Sequence, residues 1–149
     1  MATAKIYGLG MTKVISGSVN FTGDTIKCAL FGAGYTPNQD TDEFYSGIIA
    51  NEIDDAGTNY TAGGQALANK SVITYNTATN TVAWTADNPL WNALTCTAGA
   101  RYAVFYKWTG SAATSPLLAY IDFGTTQTAD GDNVSIVIPA TGIAQFTVL

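Results

Sequence analysis

The chain contains no histidine, which removes the commonest general base and the commonest metal ligand together. It has two cysteines, Cys28 and Cys96, too few for a disulfide framework. Cys28 lies in an apolar run and is expected to pack as a small hydrophobe, while a Cys28–Cys96 bridge stays open at this level. Charge is scarce: 11% of the residues are charged, against about a quarter in ordinary globular proteins, so solubility rests on Thr, Asn, Ser and Gly. The basic residues Lys5, Lys13, Lys27, Lys70, Arg101 and Lys107 form no run, and the net charge is −5. A non-specific hold on nucleic acid is therefore not expected. No apolar run approaches the length that spans a bilayer, and MATAKIYGLG lacks the apolar centre of a signal peptide. No membrane partner is expected, and synthesis in a cytoplasm is.

What is present is apolar and β-prone. Hydrophobic residues make up 47% of the 149, enough for one packed domain that buries roughly two-thirds of its unfolded surface. The chain centres on ARYAVFYKWTGSAATSPLLAYIDFG, residues 100–124. Two aromatic-rich runs, Arg101 to Trp108 and Pro116 to Phe123, flank a link of turn-forming residues, which predicts a β-hairpin. Tyr102, Val104, Tyr106 and Trp108 fall on one side and Ala103, Phe105 and Lys107 on the other. A strand apolar on both sides is central to a domain, or its second face meets another chain.

Along the rest of the chain, Ala2 to Gly10 is expected as a first strand or extended arm, with residues 11–149 forming a single domain. Met11, Val14 and Ile15 lie at helical spacing up to Gly17. Thr25 to Phe31 predicts a strand with Ile26, Cys28 and Leu30 on one face and Lys27, Ala29 and Phe31 on the other. Asp40 or Thr41 is expected to cap a short helical turn carrying Phe44, Tyr45 and Ile48 inward. Asn51 to Gly64 reads as a loop. Leu67 to Tyr75 and Thr81 to Thr85 predict a hairpin that sets Val72 and Thr74 against Val82 and Trp84. An irregular bridge is expected from Pro89 to Gly99, a polar loop from Thr125 to Asp132, and last strands at Val134 to Ile138 and Ile143 to Val148. These short strands, punctuated by Gly, Asn, Asp and Pro, predict a mainly β fold. The expected architecture is an antiparallel β-sandwich, Ig-like or jelly-roll-like, with a short helical insert.

Catalytic chemistry is hard to assemble from these residues. A Ser or Cys nucleophile would need a Lys or carboxylate partner, and no G-x-S-x-G elbow occurs. Asp40, Asp42, Glu43, Glu52, Asp54 and Asp55 could supply a carboxylate pair or oxygen ligands for calcium, but such runs are usually solvated loops and no EF-hand pattern is met. Asp130-Gly131-Asp132-Asn133 resembles a turn rather than a ligand set. No enzyme activity, cofactor or metal is expected. The aromatic residues suit either a core or a protein contact surface, and exposed Trp and Tyr would also suit a carbohydrate platform.

The opening Met1-Ala2-Thr3-Ala4-Lys5, the run DTIKCALFGAGYTPNQDTDEFYSGIIANEI, the turn Tyr60-Thr61-Ala62-Gly63-Gly64 and the hairpin RYAVFY…SPLLAYIDFG resemble small virion structural proteins of tailed bacteriophages. The resemblance implies a capsid decoration, or cement, protein that stabilises an assembled head. Its partners would be the major capsid protein or other virion proteins, and copies of itself. The alternative is a head-fibre or tail appendage that binds a carbohydrate or protein on the host surface. Contact residues are expected among Lys5, Ile6 and Tyr7 of the arm, Tyr35, Phe44 and Tyr45 of the insert, and Trp91 and Trp108.

Overall fold

A computed structural model describes residues 3–54 and 58–148, and it is mainly β with one short α-helix. A five-stranded antiparallel sheet has the order β1-β7-β6-β2-β3, with β1 at Thr3–Ile6, β2 at Ile26–Phe31, β3 at Gln65–Ala66, β6 at Leu90–Lys107 and β7 at Leu117–Ser135. A three-stranded antiparallel sheet has the order β4-β5-β8, with β4 at Ser71–Asn76, β5 at Thr81–Thr85 and β8 at Ala144–Thr147. No helix among the described residues is long and apolar enough to cross a membrane.

The central hairpin forms as the aromatic pattern predicts, but it is far longer. β6 and β7 run for 18 and 19 residues, so the expected irregular bridge at 89–99 and the expected polar loop at 125–132 are both largely strand. The reason is visible in the register. It shifts between Trp91 and Leu94, between Leu94 and Thr95, and on both sides of Ala100, so no run of strict alternation survives in these outer arms. Here the strands pair at intervals, as at Cys96 with Ala129 and Ala100 with Gln127, and polar side chains such as Thr125 and Gln127 stay in water.

Other boundaries differ for local reasons. The expected strand from Leu67 to Tyr75 is cut at Asn69, whose φ is +48°. Asn69 Nδ2 donates to Asp87 Oδ2 at 2.6 Å, and Lys70 Nζ donates to the Asp24 carbonyl at 2.6 Å. The chain changes sheets at this corner, from β3 beside β2 to β4 beside β5, where Val72 faces Trp84 as expected. The expected strand Val134 to Ile138 ends at Ser135, because Ile136 and Ile138 bond instead to the Pro89 carbonyl and Asn88 Oδ1.

The helix α1, Gly8–Ile15, takes in the last three residues, Gly8 to Gly10, of the stretch expected to be extended. Its first turn has no side-chain cap; the Gly8 N–H donates to the Gln39 carbonyl at 2.9 Å, and Gln39 Nε2 donates to the Ile6 carbonyl at 2.7 Å. That is a tertiary cap, which local sequence does not show. Gly10 lets the helix lie directly on β7, since a Cβ there would stand 1.8 Å from the Leu117 carbonyl oxygen. Residues 3–6 of the expected arm form β1, paired with β7 of the same chain; Ala2 lies outside the described residues.

Both faces of the central strands are buried by the chain itself. Ile26, Cys28, Leu30, Phe105, Leu118 and Ile121 share one core with Trp84 and Ala144 of the smaller sheet. Ala29, Phe31, Val104, Tyr106 and Leu117 share a second core with Tyr7, Tyr35, Tyr45 and Ile48. Of the two alternatives for strands apolar on both sides, a central place in the domain is the one found on this face, where Tyr7 and the segment after β2 cover it. Fully burying a side chain such as Phe31 contributes about 1.5–3 kcal/mol, so this cover is a substantial part of the fold.

The cysteines are both free and buried, with Cys28 opposite Phe105 and Cys96 opposite Ala129. Burial pushes both thiols up from their ordinary range, and so disfavours the reactive thiolate. Neither should react with a thiol reagent in minutes under native conditions at neutral pH, and both should titrate on denaturation without reductant. Fewer than two free thiols in the unfolded protein would contradict the unbridged state.

Candidate functional site

The densest convergence of polar side chains lies at the rim of the second core, where Glu52 enters between the two 3-10 turns (Tyr45–Gly47 and Ile49–Asn51) and the Tyr60 to Gly64 turn. One carboxylate oxygen accepts from Tyr60 Oη at 2.6 Å and from the Gly63 N–H at 2.7 Å; the other accepts from Tyr45 Oη. Tyr45 stacks on Tyr106 with ring centroids 4.4 Å apart, and Tyr106 Oη donates to the Gly63 carbonyl at 2.7 Å. Tyr60 Oη also accepts from the Leu30 N–H, which ties the knot to β2. Burial raises the Glu52 pKa above the ordinary glutamate range, against the opposing pull of its three donors and nearby Lys27. Burial and the neighbouring carboxylate push the Tyr45 and Tyr60 hydroxyls up, so both remain protonated donors.

A second knot holds the insert to the N-terminal segment. Tyr35 Oη donates to Asp42 Oδ2 at 2.7 Å, so the 2.7 Å contact between Tyr7 and Tyr35 has Tyr7 as its donor. Asp42 Oδ2 also accepts from the Asn38 N–H at 2.9 Å. Neither Asp40 nor Thr41 caps the following turn, correcting that expectation; their N–H groups donate to Asn38 Oδ1 instead. Phe44, the N-cap residue, makes a ladder bridge to Pro116.

The expected acidic loop is therefore only partly solvated. Asp42 and Glu52 organise hydroxyls, and Glu43 pairs with Lys13 at 3.2 Å. Asp40 and Asp54 are exposed, and Asp55 lies outside the described residues. No group of three or more His, Cys, Asp or Glu side chains that could hold a metal occurs among the described residues. Glu52 borders an open cavity of about 650 Å³, flanked by Gly32, Asn51, Thr58 and Thr97, but both of its oxygens are engaged by protein donors. What the arrangement does chemically is hold β2, the insert and the Tyr60 to Gly64 turn in one place.

The expected contact residues divide sharply. Tyr7, Tyr35, Tyr45 and Trp91 are buried in the two cores, so they are corrected from contact residues to packing residues. Their rings are too well covered by this chain to reach a partner. Lys5 is exposed, while Ile6, Phe44 and Trp108 are half-buried. Lys27 Nζ lies 5.3 Å from the Trp108 ring centroid, and Trp108 packs edge-on to Tyr106. The structure does not gather these eight residues into one surface. Sequence reasoning missed Glu52 and Tyr60 as partners. The available signal was an acidic residue followed at short range by Tyr60 and the paired glycines, Gly63 and Gly64.

Comparison with protein-family models, with curated proteins and with solved structures found no match to this chain.

Proposed function

We propose that this protein is a non-enzymatic structural component of a tailed-phage virion, of the capsid decoration kind, which binds an assembled head lattice and stabilises it. The observation that carries this reading is a contrast between the interior and the surface. Convergent polar groups are closed on one another around Glu52 and Asp42, whereas Ile15, Leu90, Val137 and Val148 stand exposed as large apolar side chains. Apolar side chains kept in water suit association better than chemistry. Made in the host cytoplasm, the protein would reside in the virion, with the major capsid protein and copies of itself as partners. In this reading the two sheets, which share the first core, are the layers of an Ig-like or jelly-roll-like sandwich.

A carbohydrate-binding appendage is less well supported. Trp84 and Trp91 are buried, and Trp108 lies half-buried beneath Lys27, so the tryptophans form no open platform. Heads assembled without this protein should take it up to a fixed saturating stoichiometry in co-sedimentation and should then disrupt at a higher temperature. No uptake by heads, together with retention on a glycan array, would replace the decoration reading with the appendage one.

A further inference from the structure

Four strand edges end the two sheets: β1 and β3 in the larger, β4 and β8 in the smaller. An edge strand presents unpaired N–H and C=O groups, and proteins usually guard it with a charge, a proline, shortness or a cover. Exposed Lys5 sits within β1, and β3 has only two residues. β8 has four residues, and β1 packs against it. β4 has six residues, no charge and no proline; its register against β5 shifts between Ile73 and Asn76, which leaves Ser71 to Ile73 as its regular edge.

The β4–β5 hairpin is also uncharged throughout. Residues 71–85 contain no Asp, Glu, Lys, Arg or Pro, in a chain of net charge −5. Val72 lies opposite Trp84, itself 6% exposed in the first core, yet Val72 is 46% exposed. Two neighbours on one ladder thus differ because, among the described residues, no strand lies beyond β4 to cover the outer one. Tyr75 on the same strand is 44% exposed, its hydroxyl donating to Asn80 Oδ1 at 2.8 Å.

We propose that β4 pairs antiparallel with β4 of a second copy of this chain, joining two three-stranded sheets across a two-fold axis. An isologous edge needs only itself as a partner, because each copy offers the same row of donors and acceptors in reverse order. A second copy meets this edge without like-charge repulsion, since no charge lies on either hairpin. The same copy covers Val72 and satisfies the outer backbone groups. This goes beyond lattice binding and does not depend on it.

Analytical ultracentrifugation of the full chain, with and without Val72→Lys, tests the pairing. The expected result is a concentration-dependent dimer whose dissociation constant rises at least tenfold in V72K. Val72 is half exposed, so the fold should survive; near-ultraviolet circular dichroism checks that. As a second measurement on the unmodified protein, hydrogen exchange should show amides of residues 71–76 gaining protection as protein concentration rises. A monomer up to about 1 mM, the weak end of specific association, overturns the proposal. So does a dimer in which residues 71–76 gain no protection, or one that V72K leaves intact while it stays folded. Head uptake by a monomeric protein would leave the decoration reading standing and this one refuted.

Discussion

Glu52→Ala should lower the unfolding free energy by about 3–5 kcal/mol, from the usual cost of leaving buried donors unsatisfied. The alanine strands the Tyr45 and Tyr60 hydroxyls and the Gly63 N–H, all of which now donate to the carboxylate. Glu52→Gln should retain most of that stability. Its amide oxygen can accept from Tyr60 and Gly63, and its NH₂ can donate to Tyr45, whose hydroxyl also accepts. The pair separates loss of connectivity from loss of charge. Chemical denaturation of the three proteins measures both, and equal losses for Ala and Gln would show that the charge itself is what matters.

The same carboxylate has a definite pH signature. Burial raises its pKa in the folded state, so the native protein binds this proton more tightly than the unfolded chain does. Its contribution is fully present below the ordinary glutamate pKa and is lost as pH rises through the raised one. Asp24, held low by Lys107 and the Asn20 N–H against the opposing effect of burial, has the opposite sign. So has Asp122, held low by Arg101. Their contributions are lost as pH falls through their depressed values. Subtracting the Glu52→Gln profile from that of the unmodified protein isolates the Glu52 contribution, which should decline with rising pH from the ordinary glutamate range upward. A rising or flat difference contradicts the assignment.

Gly64→Ala should cost about 3 kcal/mol, summing a left-handed backbone penalty of about 1–2 kcal/mol with overpacking of about 1–3 kcal/mol. Gly64 has φ +65°, and an added Cβ would stand 1.9 Å from the Cys28 carbonyl oxygen and 2.6 Å from the Ala29 Cα. Relief requires β3 to move off β2, because both close atoms are backbone. For a domain of this size the melting temperature should fall by about 6–12 °C. Gly47→Ala is the control, since a Cβ there meets nothing within 4 Å, and it should change stability by less than about 0.5 kcal/mol. Gly64 adjoins Gly63, which both donates to Glu52 and accepts from Tyr106. The Glu52→Ala and Gly64→Ala losses should therefore sum to more than the double variant shows.

Much of the β core was legible in short, strictly alternating runs. Thr25 to Phe31 and Arg101 to Trp108 assign their side chains to two faces by period alone, and those faces are the two cores observed. The outer arms of β6 and β7 were not legible, because repeated register shifts erase the alternation. Nor was the burial of Glu52, since an acidic residue in a Gly-rich stretch has the same local appearance whether solvated or bound. The start of α1 was hidden for a related reason, as the Gln39 carbonyl that caps it lies in a distant turn.

By themselves, the residues determined that this chain has no histidine chemistry, little charge, and central strands greasy on both sides. Those are properties of composition and of a period of two, and they survive any arrangement of the loops. Only the tertiary structure decided that the second face is closed from within by Tyr7, Tyr35, Tyr45 and Ile48, and that β4 is an edge of the smaller sheet. Contacts across long sequence separations carry no local pattern; they arise from which segments remain free to cover a surface once the central hairpin has formed.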